Sequence, residues 1–209
     1  MIFNQHSELE GQHAFLSPSK YSWLNYDQEK LETAYRRQYA NTIGTILHDL
    51  AHRCILNKVK LSKSDRHLVL LTLLDNGVPQ GLIDANDILE TLSPFVNDAL
   101  GFRMETEQVL YYSENAFGTA DAICFRDNTL RIHDYKSGIT PVHMDQLYIY
   151  AALFCLEYDK KPEQIKIELR IYQSGEALID EPSPEVIRAI MNKIVDSDRF
   201  LRKLKDKER

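Results

Sequence analysis

The hydrophobic spacing of this chain changes period once, at Gly101, and that change limits what it can fold into. Upstream, apolar residues recur three and four positions apart, as at Leu31, Tyr35, Tyr39, Ile43, Ile46, Leu47, Leu50 and Ile55. Downstream they alternate, as at Ile165, Ile167, Leu169 and Ile171. Threes and fours put side chains on one face of a helix, and twos put them on one face of a strand. A chain that supplies helices first and strands later must cover a sheet with helices. With only 8 glycines and 7 prolines in 209 residues, helices should be long and loops short.

The spacing predicts helices over 19–26 (Ser17 as N-cap, Pro18 in the first turn), 27–58 (kinked at Gly44), 62–74 and 84–100 (disturbed at Pro94). Asn76 to Pro79 reads as a turn. Strands follow at 104–113, 117–125 and 130–135, the last two joined by an Asp127-Asn128 hairpin turn. A strongly apolar helix over 142–157, strands over 165–172 and 176–179, and a helix over 184–205 complete the chain. The expected fold is α/β (α+β), a small mixed central sheet flanked by helices. It forms a single domain over 1–209, with an arm at 1–16, a helical region at 17–103, a core sheet at 104–181 and a C-terminal helix at 182–209.

No apolar run approaches the ~18 residues of a membrane span, and the N-terminus lacks a signal-peptide pattern. The expectation is a cytoplasmic protein without a membrane partner. A net charge of −6 argues against a protein that coats nucleic acid, but not against an enzyme with a local basic patch. Cys54, Cys124 and Cys155 lie far apart in apolar stretches, which suits buried free thiols rather than a disulfide scaffold or zinc ribbon.

Chemistry concentrates between Gly118 and Tyr150. Asp134 and Lys136 stand two apart on one strand and so share a face. Asp121 lies on the preceding strand, where the hairpin can set it beside Asp134. Gln146 and Tyr150, four apart on the next helix, also share a face. Two carboxylates on neighbouring strands make a hard oxygen site suited to Mg²⁺ or Mn²⁺. A lysine beside them can orient or deprotonate an attacking water and stabilise negative charge on a phosphorane. Together these groups suit phosphodiester hydrolysis.

Asp121, Asp134-x-Lys136 and Gln146-xxx-Tyr150, preceded by the helical Gly44-xxx-His48, resemble the motifs of the PD-(D/E)XK nuclease superfamily, in its RecB-like branch with the lambda-type exonucleases and phage relatives. The resemblance covers roughly residues 17–173. It implies a restriction-endonuclease-like core and a metal-dependent deoxyribonuclease, an exonuclease of DNA recombination, repair, replication or phage DNA processing, in the host cytoplasm if phage-encoded. It implies His48, Asp121, Asp134 and the Tyr135 carbonyl as ligands of one or two Mg²⁺ or Mn²⁺ ions, and Lys136 as the catalytic lysine. Gln146 and Tyr150 then orient the lysine or hold DNA, with Ser137 as a further DNA contact. Apart from the resemblance, Arg53 lies about one and a half helical turns from His48, where it could reach a phosphate near the metal. Some relatives hold an iron–sulfur cluster on four cysteines; with three cysteines here, no cluster is expected. DNA is the implied partner, and a recombination or replication protein and a second copy of the chain stay open.

Plainer readings stand beside these. Asp134 and Lys136 also suit an exposed ion pair, His48 and His52 ordinary helix histidines, and Tyr150 core packing. The basic residues of the long helix (Lys30, Arg36, Arg37, Arg53, Lys58, Lys60) and of the last helix (Arg188, Lys193, Arg199, Arg202, Lys203, Lys205, Lys207, Arg209) suit a solvated face before a DNA track. The alternatives to an exonuclease are a structure-selective endonuclease and a non-catalytic DNA- or protein-binding module on the same fold. Residues 60–103, which the resemblance explains least, are where substrate choice or oligomer contacts would lie.

Overall fold

The computed structural model describes residues 4–11 and 13–208; Arg209 and residues 1–3 and 12 of the expected arm lie outside the described residues. The chain forms two compact units, Met1–Thr42 and Ile43–Arg209, whose boundary falls inside the first long helix.

In the first unit, the segment expected as an α-helix over 19–26 is instead a 3-10 helix, Pro18–Asn25, broken at Lys20 (φ −113°, ψ 45°). Ser17 does stand at the N-cap, but its hydroxyl bonds Ser19 Oγ at 2.8 Å and caps no amide. The Trp23 indole N–H donates to the Ser17 carbonyl at 3.1 Å. Phe15, Tyr35 and Tyr39 stack edge to face in sequence, with centroids 5.7 and 5.0 Å apart.

Helix α1 (Gln28–Leu56) starts where Asp27 Oδ1 accepts from the Lys30 amide at 2.8 Å, an N-cap bond. It continues through Gly44 as one helix, so the expected kink is not what that glycine is for. Helix α2 (Arg66–Asp75) follows, then α3 (Ala85–Phe102), capped by Asp84, which accepts from the amides of Asn86 and Asp87. Helix α3 runs on past Pro94 and ends at Arg103, which takes the left-handed conformation (φ 55°). Leu89, Leu92, Phe95, Val96 and Ala99 form its buried stripe.

Five strands form one sheet in the order β1 (Glu105–Ser113), β2 (Ala116–Arg126), β3 (Thr129–Lys136), β4 (Lys166–Gln173), β5 (Glu176–Asp180). β1, β2 and β3 form an antiparallel meander. The β2–β3 turn places Asp127 and Asn128 both at positive φ (48° and 58°), the two-residue geometry whose twist matches the strands. β3 and β4 are parallel, joined by helix α4 (Asp145–Glu157), and β5 returns antiparallel to β4. The sheet is therefore mixed, as expected. Helix α4 begins three residues later than the spacing predicts, and in the loop before it the Gln173 side chain donates to the carbonyls of Gly138 and Thr140. Helix α5 (Pro184–Lys207) packs on α4.

The core under one sheet face is built from α4 residues Leu147, Ala151, Ala152 and Leu153, strand residues Leu110, Ala120, Ile123, Leu130, Ile132 and Leu169, and Ile187 of α5. Burying each such side chain contributes roughly 1.5–3 kcal/mol. Cys54, Cys124 and Cys155 are free and buried. No helix of the described residues is long and apolar enough to cross a membrane.

Candidate active site

The site begins where β2 and β3 part. Their ladder runs from Arg126↔Thr129 to Ala122↔His133, and Asp121 and Asp134 stand one step beyond it. There the Tyr135 amide no longer continues a ladder but donates to Asp121 Oδ2 at 2.9 Å. A strand residue's N–H and C=O leave the same edge, so the Tyr135 carbonyl faces β2 too.

A second irregularity lies across from it. The β1–β2 ladder passes from Thr106↔Ala122 to Gln108↔Ala120, skipping Glu107 and Asp121, and Glu107 has a left-handed backbone (φ 52°). Each strand reverses its faces at this step. In β2, Gly118 faces Tyr150 of α4, yet Ile123, an odd number of residues on, pairs with Ile132 in the same α4-side core. In β1, Thr106 reaches His52 of α1 (2.6 Å), whereas Leu110, an even number on, packs in the α4-side core. A non-glycine residue at positive φ inside a strand costs of order 1–3 kcal/mol, and such strain gathers at functional sites.

The double kink gathers three ligand groups. One ligand atom each from His48, Glu107 and Asp121 lies within 4.8 Å of the others. His48 Nδ1 is 3.4 Å from Asp121 Oδ2, and its ring packs edge-on against Tyr135, centroids 5.4 Å apart. Burial pulls the His48 pKa down, but the hydrogen bond and charge of Asp121, with Asp134 and Glu107 beyond, outweigh it and leave the imidazole above its ordinary value. His52, one turn on, is taken up by Thr106 and is not among these three ligands.

Asp134, on the α4 side of the fork, is 3 % exposed. Its carboxylate accepts from Lys136 Nζ at 3.1 Å, and Nζ also donates to Gln146 Oε1 at 3.0 Å. Gln146 Nε2 in turn donates to Tyr150 Oη at 3.3 Å. Burial, and then the charge of Asp121, push Asp134 up to about 6 against the pull of Lys136. Asp134 and Lys136 are thus a half-buried pair within the site, not an exposed one. Tyr148 points away and donates to Asp180 Oδ2 at 2.8 Å.

Two glycines permit close approach. A Cβ on Gly118 would sit 2.8 Å from Tyr150 Cε1, so only glycine lets that ring lie on β2. A Cβ on Gly44 would sit 3.0 Å from Ser137 Oγ, so this glycine brings α1 against the turn that follows Lys136. Ser137 is exposed beside it. Arg53 pairs with Asp49 on its own helix at 3.0 Å, both side chains more than half exposed. In α5, Arg188, Arg199, Arg202 and Lys205 are engaged by Glu163, Asp196, Asp198 and Asn115, which fits the solvated-face reading.

Glu107 is the site residue that sequence reasoning misses. Its residue type and strand were visible, but its approach to His48 and Asp121, from an exposed position, accompanies a left-handed backbone that no turn signal announces. The residues present fit a hard divalent cation. One imidazole and two carboxylates converge, and Asp134 Oδ2, 3.0 Å from Lys136 Nζ, is buried without a properly directed hydrogen bond.

A family model described as "Protein of unknown function (DUF2800)" matches residues 13–183. No curated protein and no solved structure matches the chain.

Proposed function

The chain belongs to the DUF2800 family, and we propose that it is a divalent-metal-dependent deoxyribonuclease that hydrolyses phosphodiester bonds at strand ends. The observation that carries the reading is Lys136 Nζ held between the Asp134 carboxylate and Gln146 Oε1 at the fork of the sheet, with His48, Glu107 and Asp121 converging across the neighbouring strand.

Asp121 and Asp134, with His48, Glu107 and the Tyr135 carbonyl, would hold Mg²⁺ or Mn²⁺. When bound there, such a cation would supply Lewis-acid polarisation of the phosphate and a water of lowered pKa. Lys136 orients the attacking water and neutralises charge that grows on the phosphoryl oxygens. Gln146 and Tyr150 fix the lysine, whose four-carbon stem would otherwise sample many rotamers. Tyr135, sealed against Phe95 and His48, keeps water from the back of the fork.

The test incubates the protein with end-labelled linear DNA and covalently closed circular DNA, with and without Mg²⁺ or Mn²⁺. Metal-dependent loss of linear DNA alone is expected, with Lys136→Ala and Asp134→Asn each slower by about 10²–10⁴-fold. Nicking of the circle would reassign the chain as an endonuclease. No cleavage of either DNA, with the variants behaving as the parent does, would refute the catalytic reading.

A further inference from the structure

A cavity of about 510 Å³ opens beside the cluster, between the ends of α1 and α3 and the start of β1. Lys58, Lys60, Arg103 and Arg126 line it, and Glu105 is the one carboxylate among its lining residues. In a chain of net charge −6 this is a local excess of positive charge. Among the described residues none of these four cations has a carboxylate within ion-pair distance, so their charge is not locally cancelled.

The backbone directs the cations there. Lys58 leaves α1 at φ 58° and Arg103 leaves α3 at φ 55°, so both helices end by turning a basic residue out. Helix C-termini attract cations, which accounts for those two but not for Lys60, or for Arg126 at the end of β2. Arg126 donates to the Arg103 carbonyl at 3.3 Å, which holds the two side by side. The wall nearest the metal ligands is Thr106, pinned to His52 on α1 one turn past His48. The next residue, Glu107, belongs to the cluster.

We propose that this cavity seats the phosphodiester backbone of the nucleic-acid substrate on one side of the scissile phosphate. The inference rests on the nuclease reading and names the surface by which that site takes hold of a polyanion. Unpaired, exposed cations lose little solvation when they meet phosphates, and each phosphate they neutralise releases condensed counterions. The cavity thereby offsets the repulsion between an acidic protein and its substrate where the strand must lie.

The experiment measures binding of a fluorescein-labelled 20-nucleotide strand, and of the same sequence as a duplex, in Mg²⁺ across a salt series. A Lys136→Ala background leaves the DNA intact. Adding Lys60→Gln and Arg126→Gln, both at exposed positions, should weaken binding about tenfold or more at 0.1 M salt. It should also lower the slope of log K against log salt by about 1.4–1.8, at ~0.7–0.9 for each phosphate no longer neutralised. Lys193→Gln with Lys203→Gln, on α5, should change neither, and thermal melts should match the parent throughout. Unchanged affinity and slope, or equal losses from both pairs, would overturn the cavity assignment. If Lys136-intact protein still cuts DNA in that case, only this inference falls. If the parent neither binds nor cuts DNA, the nuclease reading falls with it.

Discussion

Gly118→Ala tests the contact that places Tyr150 over β2. The new Cβ would meet Tyr150 Cε1 at 2.8 Å, against an ordinary carbon contact of ~3.5–4.0 Å, so the ring must withdraw by about 0.7–1.2 Å. Overpacking of this kind costs about 1–3 kcal/mol. Gly118 is not at positive φ, so alanine also stiffens the unfolded chain and returns ~0.4–1 kcal/mol. The net expectation is a loss of up to ~2.5 kcal/mol. With Tyr150→Ala already in place the clash is gone, and Gly118→Ala should stabilise by ~0.4–1 kcal/mol. Urea unfolding of the four proteins gives the coupling, expected at about 1–3 kcal/mol. A coupling within 0.5 kcal/mol of zero would refute the argument. The displaced ring also frees Gln146, so the cleavage rate of Gly118→Ala should fall with that of Tyr150→Ala, and the double variant should be no slower than either.

Mn²⁺ or Mg²⁺ at about 100 times its Kd should raise stability by about 2.7 kcal/mol, and Glu107→Gln should need markedly more metal for the same shift in Tm; an unchanged metal titration would remove Glu107 from the ligand set. Asn97 donates to the Leu61 carbonyl at 2.7 Å and accepts from the Leu61 amide at 3.0 Å, tying the α1–α2 connection to α3. Asn97→Ala should therefore cost about 1–3 kcal/mol in denaturant, and Asp84→Ala, which removes the α3 cap, about 1 kcal/mol. Burial raises all three thiols, Cys155 to about 11, so at pH 8 the reactive thiolate is scarce. A disulfide reagent should titrate no fast thiol in the native protein and three after denaturation.

The elements that the sequence makes legible are those whose signal is local. Asp134 and Lys136 share a face because they are two apart on one strand, and Gln146 and Tyr150 share one because a helical turn separates them. Asp121 needed only a hairpin to reach the fork. Glu107 was hidden because it depends on the register of β1 against β2 and on a backbone conformation that glutamate rarely adopts. Gly44 read as a kink because sequence shows a missing side chain but not the neighbour that comes close to it, here Ser137. Arg53 carries a second local signal: Asp49 stands four residues before it, the spacing of a helical ion pair. The Ser17 cap failed because a second hydroxyl, Ser19, competes for the first.

The paired kinks at Glu107 and Asp121 also act as a key for assembling the hairpin. A uniform two-stranded ribbon can slide by two residues and still present apolar side chains to the same side. Here each strand reverses its faces once, so only the alignment that sets one reversal opposite the other keeps Leu110 and Ala120 in the same core as Ile123. A slipped pairing would leave a stretch between the two reversals with apolar groups on the wrong side. The alignment that excludes such slips is also the one that brings Glu107 and Asp121 together. The strands cannot be paired correctly without building the cluster, nor can the cluster be built from a mispaired hairpin.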